Sequence, residues 1–173
     1  MPMILITPLS AVPDAIKSHA PSHLISLLSE QYMIATPDDF PAEHHLRLAV
    51  HDIADPLGEQ APAAEHVEQL IAFGRGWDAR APMLVHCWAG VSRSTAAAYA
   101  LLCDRAGPGT ERDIALALRA RAPHAHPNRL IVRLADEALG RGGAMVKAID
   151  AIGSGVIVTE GVAVEMPLAL GAP

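Results

Sequence analysis

The chain has 173 residues, which is enough for the core of one domain and few for two. Half of the residues (51%) are hydrophobic, so the composition excludes a disordered chain. The formal net charge is −6 and Lys and Arg form no cluster, so we expect neither a nucleic-acid surface nor a membrane surface.

The cysteines and the first residues bear on the cellular compartment. Two cysteines do not make a disulfide framework, which favours a reducing environment. The apolar run at the N-terminus is short and no basic residue precedes it, unlike a signal peptide. We therefore expect a cytoplasmic protein, and the excess of Arg over Lys is typical of a GC-rich bacterial genome.

Strand and helix patterns alternate in the first half of the chain. Short apolar runs predict strands, and apolar residues spaced three and four apart predict helices. The predicted strands cover residues 3–7, 22–28, 45–50 and 83–85, and the predicted helices cover residues 11–20, capped by Ser10, and about 62–77. This alternation predicts an α/β fold with a small, mainly parallel central sheet flanked by helices.

The second half is predicted to be mainly helical, with a β-rich end. The predicted helices run from Ala96 to Gly107, from Thr110, in a capping box with Asp113, to about Ala122, from Pro127 to Gly140 and from Ala144 to Ile152. Two β-branched runs within residues 156–166 predict a hairpin or edge strands. We divide the chain into a main domain, 1–141, and a C-terminal extension, 142–173. The extension is expected to pack on that domain or on a partner subunit, and its apolar run 156–164 suggests a homodimer contact.

One stretch, residues 86–95, carries the chemistry. It lies between the apolar run 83–85 and the alanine-rich run 96–102, so it predicts a strand, a tight loop and a helix. A loop that wraps back over a helix N-terminus turns its amides inward and forms a cradle for a phosphate-like anion. The predicted phosphate-binding loop consists of Trp88, Ala89, Gly90, Val91, Ser92 and Arg93, and Gly90 allows it to bend.

Four residues in this stretch have predicted roles. Cys87 would lie beside Arg93 and the positive end of the helix, conditions that favour a nucleophilic thiolate. Arg93 can hold two phosphate oxygens bidentately. Ser94 can donate a hydrogen bond to the sulfur and make it a better leaving group, and His86 can hold the loop through its backbone. Cys103 falls in an apolar helical run and is expected in the core.

Residues 86–94 have the form His-Cys-X-X-Gly-X-X-Arg-Ser, which resembles the active-site signature of the cysteine-dependent protein tyrosine phosphatases. The interior Ala-Gly-Val-Ser-Arg-Ser is most similar to the small dual-specificity branch. The resemblance covers about residues 3–140 and makes residues 1–141 a phosphatase domain. It implies hydrolysis of phosphomonoesters through a phosphocysteine on Cys87, with a phosphorylated protein or a small phosphomonoester as substrate and phosphotyrosine as first choice.

The resemblance also implies a general acid, an Asp some thirty residues before the cysteine, that protonates the leaving group. Asp52 and Asp55 lie 35 and 32 positions before Cys87. Spacing slightly favours Asp55, whereas Asp52 directly follows the predicted strand 45–50. We choose Asp52 and keep Asp55 as the alternative.

Two other functions remain open. A rhodanese-type sulfurtransferase also presents a cysteine loop, but that loop is commonly one residue shorter and needs no upstream acid. A non-catalytic phosphate-binding module would keep the cradle without turnover. We predict no cofactor, because neither a dinucleotide glycine pattern nor a Walker sequence is present. We also predict no metal, because the nine histidines lack the pairing of a metal site.

Overall fold

Five strands form one sheet in the computed structural model, which describes residues 2–38 and 40–169. The strands are β1 (Met3–Pro8), β2 (His23–Leu28), β3 (His45–Ala49), β4 (Met83–Cys87) and β5 (Val164–Pro167). The sheet order is β3-β2-β4-β1-β5, and only the pair β1–β5 is antiparallel. The predicted α/β fold with a mainly parallel sheet is therefore confirmed.

Six α-helices cover the sheet: α1 (Val12–His19), α2 (Ala64–Gly76), α3 (Arg93–Ala106), α4 (Glu111–Arg121), α5 (Arg129–Ala138) and α6 (Ala144–Ile152). Helix α1 packs on one face, where Leu5, Leu24 and Leu84 are register neighbours. The other helices contribute to the large core on the opposite face. Because both faces are covered, the central strands are apolar on both sides and appear in the sequence as continuous apolar runs.

Helix α3 is the central helix and starts at the predicted phosphate-binding loop. Every residue from Arg93 to Cys103 is buried, because α3 packs against β4 and β1 and against α2, α4 and α5. Its alanine-rich first half lets these neighbours approach closely, since a methyl side chain occupies little space. The helix that carries the loop is thus held on several sides.

The C-terminal residues differ from the prediction. Residues 156–163 form no strand, and only β5 extends the sheet, at the free edge of β1. The predicted hairpin is wrong because backbone amides of this segment bind elsewhere: Val156 N donates to Pro123 O and Gly161 N to Ala89 O. The alternative prediction of an edge strand is confirmed for residues 164–166, which lie in β5.

The predicted side-chain caps at Ser10 and Thr110 are wrong, although Thr110 directly precedes α4 as predicted. The Ser10 hydroxyl donates to Glu160 Oε1 at 2.9 Å, and the Thr110 hydroxyl donates to Gly107 O at 2.7 Å. Asn128, by contrast, caps α5, because its side-chain oxygen accepts a hydrogen bond from Ile131 N. Among the helices in the described ranges, none is long and apolar enough to cross a lipid bilayer.

Candidate active site

The predicted nucleophile lies at the carboxyl edge of the sheet. Cys87 is the last residue of β4, which lies between β2 and β1, and Arg93 is the first residue of α3. Residues 88–92 connect them in one tight loop. This is the edge at which α/β sheets bind ligands, outside the carboxyl ends of their strands.

Four of the five carbonyls of residues 88–92 are held away from the interior of the loop by contacts with three other segments. Trp88 O accepts from Leu9 N at 3.1 Å, Ala89 O from Gly161 N at 2.8 Å, Val91 O from His126 N at 2.9 Å and Ser92 O from Asn128 N at 3.1 Å. The backbone amides of residues 88–93 donate no hydrogen bond to any residue that the structure describes. Unpaired amides above a helix N-terminus are the donors that an anion requires.

Gly90 closes the loop against the end of β1. Its φ is +69°, a backbone region that favours glycine. A Cβ atom at this position would lie 2.6 Å from Pro8 N and 2.8 Å from the carbonyl carbon of Thr7. Only glycine allows the loop to approach β1 so closely.

The Cys87 sulfur lies within hydrogen-bond distance of a hydroxyl. Its Sγ is 3.2 Å from Ser94 Oγ, and Cys87 is only 2% exposed. A thiolate accepts but does not donate, so with an ionised cysteine the Ser94 hydroxyl is the donor. This is the contact predicted for a serine that makes the sulfur a better leaving group.

Arg93 is buried and only partly paired. Its Nη1 donates to Val50 O at 2.9 Å, which fixes the guanidinium beside the end of β3. Its Nε is buried and has no hydrogen-bond partner among the described residues. Since a buried unpaired donor is unfavourable, this N–H is suited to an oxygen of a bound anion.

The two candidate acids lie in different surroundings. Asp52 Oδ1 accepts from Ser92 Oγ at 2.7 Å and from Asn128 Nδ2 at 2.9 Å, so this carboxylate contacts the loop directly. Asp55 Oδ1 accepts from Leu57 N at 2.9 Å, a bond within its own turn. The Oδ2 atom of Asp52 has no partner among the described residues.

Asn128 is a site residue that the sequence indicated only as a helix start. Its Nδ2 donates to Asp52 Oδ1 and to Ile53 O, and its backbone N donates to Ser92 O. One side chain therefore caps α5 and holds the segment that carries Asp52. The Pro-Asn pair at 127–128 was the only signal in the sequence.

A chain of buried hydrogen bonds leads to His86. Ser26 Oγ lies 2.6 Å from His86 Nε2 and 2.8 Å from His45 Nε2. The other ring nitrogens lie 3.3 Å from Cys87 O, for His86, and 2.9 Å from Thr36 Oγ1, for His45. Because a carbonyl only accepts, His86 Nδ1 is the donor to Cys87 O. In the neutral ring His86 Nε2 then accepts from the Ser26 hydroxyl, Ser26 Oγ accepts from His45 Nε2, and His45 Nδ1 accepts from the Thr36 hydroxyl.

Both histidines of this hydrogen-bond network, His86 and His45, are held neutral. Burial lowers the pKa of His86 to about 4, and the neighbouring His45 and Arg93 act in the same direction. Burial, with Arg47 nearby, also lowers the pKa of His45 to about 4. His86 therefore holds the carbonyl of Cys87 without carrying a charge near neutral pH.

Two aromatic side chains lie at the surface beside the nucleophile. Trp88 and Tyr32 are each 52% exposed, and their ring centroids are 5.0 Å apart. Tyr32 follows β2 and Trp88 follows β4, the neighbouring strand, so both rings lie at the edge that carries Cys87. No motif in the sequence indicated Tyr32, which becomes adjacent to Trp88 only through the strand order.

The site brings together four kinds of group at one loop: a cysteine sulfur, an arginine, backbone amides and a carboxylate. Among the described residues, Arg93 Nε and these amides have no hydrogen-bond partner. In the described ranges, no group of three or more His, Cys, Asp or Glu side chains is arranged to hold a metal ion.

The fold is similar to those of solved phosphatases and phosphatase-like proteins. The chain is 24% identical to DUSP15, with a TM-score of 0.62 over 88% of this chain and 91% of that one. It is 21% identical to the human tyrosine phosphatase-like serine/threonine/tyrosine-interacting protein, with a TM-score of 0.63 over 80% and 91%. For PTPMT1 in complex with PI(5)P the identity is 17% and the TM-score 0.57, over 87% and 94%. No protein-family model and no curated protein sequence matches the chain.

Proposed function

We propose that the protein is a phosphatase that hydrolyses phosphomonoesters, with phosphotyrosine as first-choice substrate, through a phosphocysteine on Cys87. One observation carries the proposal. Around the Cys87 sulfur, four of the five carbonyls of residues 88–92 are bonded to other segments, while the loop amides and Arg93 Nε have no partner among the described residues. Such a site favours an oxyanion and stabilises the charge that develops in phosphoryl transfer.

The reaction proceeds in two steps. The thiolate of Cys87 attacks phosphorus, the ester P–O bond breaks, and Asp52 supplies the proton to the departing oxygen. Water then attacks the phosphocysteine, Asp52 takes the proton of that water, and the S–P bond breaks. Ser94 donates to the sulfur as it leaves, and inorganic phosphate is released.

The preference for an aryl ester is supported by the exposed ring pair. A phosphorus atom seated at Cys87 places the ester group toward the surface, where the rings of Trp88 and Tyr32 lie. Aromatic rings pair favourably with one another, by about 0.5–1.5 kcal/mol beyond the buried area. A phosphotyrosine ring can use that contact, whereas the side chain of phosphoserine cannot.

The alternative functions are less well supported. A sulfurtransferase needs no acid, and here Asp52 is bonded to the loop by Ser92 and Asn128. A non-catalytic module would not need both the nucleophile and a placed acid. A phosphoinositide, as in the PTPMT1 complex, is a weaker candidate because residues 88–92 include no lysine. We infer a cytoplasmic location, because both cysteines are free and a thiolate nucleophile requires a reducing compartment.

Hydrolysis of p-nitrophenyl phosphate by the wild type and by Cys87→Ser tests the proposal. We expect release of inorganic phosphate from the wild type and none above background from the variant. A parallel thiosulfate–cyanide assay detects sulfur transfer. Phosphotyrosine and phosphoserine peptides and phosphoinositide vesicles rank the substrates. Sulfur transfer without phosphate release, or no turnover of any ester, would refute the proposal.

A further inference from the structure

Residues 153–161, which we call the C-terminal strap, cross from the end of α6 to the phosphate-binding loop. They lie outside the stretch that resembles the phosphatases in sequence. At the far end of the strap, Gly161 N donates to Ala89 O at 2.8 Å. We propose that this strap holds the loop in its anion-binding form and that Gly161 is a positioning residue for catalysis, an inference that rests on the proposed function.

The contact acts on the peptide group between Ala89 and Gly90. A carbonyl turned into the cradle would place partial negative charge against the bound phosphate. Leu9, the residue after β1, holds the Trp88 carbonyl, and the segment before α5 holds the carbonyls of Val91 and Ser92. The Ala89 carbonyl receives its backbone donor from the strap, 72 positions along the chain. Of the four bonded loop carbonyls, the strap therefore holds the one that neither the end of β1 nor the segment before α5 holds.

Close packing around Gly161 places its amide against the Ala89 carbonyl. A Cβ atom at Gly161 would lie 2.5 Å from His124 Nε2 and 3.1 Å from Gly90 O. His124 is only 6% exposed, so its ring has little room to move. A side chain at position 161 would push the strap away from the loop and lengthen the bond to Ala89.

The strap is anchored at both ends. Arg119 Nη2 donates to Gly153 O at 2.8 Å, while its Nη1 donates to Ala125 O at 2.8 Å. A Cβ atom at Gly155 would lie 2.5 Å from Ala125 O, so the strap also approaches this backbone closely. At the other end, Glu160 Oε1 accepts from the Ser10 hydroxyl at 2.9 Å.

The strap contributes little apolar burial to the fold. Ile157 is 98% exposed, Val156 64% and Val162, just past its end, 67%. Because hydrophobic stabilisation scales with the apolar area removed from water, these residues add little to overall stability. The structural consequence of losing the strap contact is therefore expected mainly at the loop.

Tungstate binding to the full chain, measured by calorimetry in the Cys87→Ser background, tests the proposal without requiring turnover. The test variant is Gly161→Ala. The matched control is Val162→Ala, the next residue, whose side chain is largely exposed. We expect Gly161→Ala to weaken tungstate binding about tenfold, the size of one lost hydrogen bond, and Val162→Ala to leave it unchanged. With Cys87 restored, kcat should fall for Gly161→Ala.

A second substitution separates positioning from misfolding. His124→Ala removes the ring that a Cβ at 161 would meet and, with it, the contact of that ring with the Gly90 backbone. The double variant Gly161→Ala/His124→Ala should therefore bind tungstate as well as His124→Ala alone. Equal tungstate binding by Gly161→Ala and Val162→Ala would overturn the proposal, as would a folded double variant that binds more weakly than His124→Ala. If the wild type binds tungstate but hydrolyses no ester, the proposed function fails while this binding comparison still decides the role of the strap.

Discussion

Replacing Asp52 by asparagine isolates proton donation from the architecture of the loop. Asp52 Oδ1 accepts hydrogen bonds from Ser92 Oγ and Asn128 Nδ2. An asparagine offers a carbonyl oxygen to the same two donors, so the loop should keep its shape. What the Asp52→Asn variant lacks is a carboxyl proton for the leaving group.

The size of the effect should depend on the leaving group. A positioned general acid contributes about 10²–10⁴-fold to the rate, which corresponds to about 2.7–5.4 kcal/mol of activation free energy. Because Asp52 also serves the hydrolysis of the phosphocysteine, a step common to all esters, the comparison uses kcat/KM, which reports the first step alone. Phenyl phosphate has a poor leaving group, so its kcat/KM should fall by this full factor. p-Nitrophenyl phosphate, whose phenoxide departs without a proton, should lose much less kcat/KM in the Asp52→Asn variant.

Asp55→Asn is the matched control. Asp55 is exposed, and among the described residues its Oδ1 accepts from Leu57 N alone, a bond that an asparagine oxygen can also accept. We expect the kcat/KM values of Asp55→Asn on both esters to match those of the wild type. A loss at Asp55 that depends on the leaving group would transfer the role to that residue. A loss at Asp52 that is equal for both esters would refute general-acid catalysis by Asp52.

Three further predictions concern the loop, the tail and the buried histidines. In urea unfolding, Gly90→Ala should lower the free energy of unfolding more than Gly107→Ala. Both glycines have positive φ, but of the two only Gly90 would place a Cβ against backbone atoms. Equal losses of unfolding free energy would contradict the close approach of Gly90 to β1. If the exposed apolar tail forms a homodimer contact, the wild type should sediment as a dimer and Ile157→Asp as a monomer, and a monomeric wild type would remove the idea. Burial lowers the pKa of His86 to about 4, so the unfolded chain binds protons first and the free energy of unfolding should fall as pH drops from about 6.5 to 4. His86→Asn should flatten that decline in urea titrations at about pH 7 and about pH 4.5, either side of the ordinary histidine pKa, and an unchanged slope would contradict the assignment.

The elements that could be predicted are those whose signal is local. The strands of the parallel sheet are apolar runs because both faces are covered, and their bounds differ from the prediction by few residues. The helix caps were predicted less well. Ser10 and Thr110 have the right chemistry for caps, but their hydroxyls donate to Glu160 and to Gly107 O instead. Whether a side chain caps a helix depends on the backbone conformation of the residues before the helix, and the local sequence does not determine that conformation.

The site shows the same division. Cys87, Arg93 and Ser94 lie within one loop, so their spacing already places them together. Tyr32 and Ser26 reach the site only because β2 lies beside β4 in the sheet, and strand order is a tertiary property. The β-branched run 156–158 has strand propensity, yet it lies outside the sheet because β5 takes the edge of β1.

The phosphate-binding loop is held by hydrogen bonds to its carbonyls, while its amides have no partner among the described residues. Three separate segments, at Leu9, at His126 to Asn128 and at Gly161, each bond loop carbonyls, and Gly90 packs against the end of β1. A free loop would relax by turning some of its amides toward these carbonyls or toward solvent. A buried unpaired donor costs about 1–3 kcal/mol, and Arg93 Nε is such a donor among the described residues. If the proposed function holds, a bound oxyanion accepts from Arg93 Nε and from the loop amides, and the removal of that cost adds to its binding free energy.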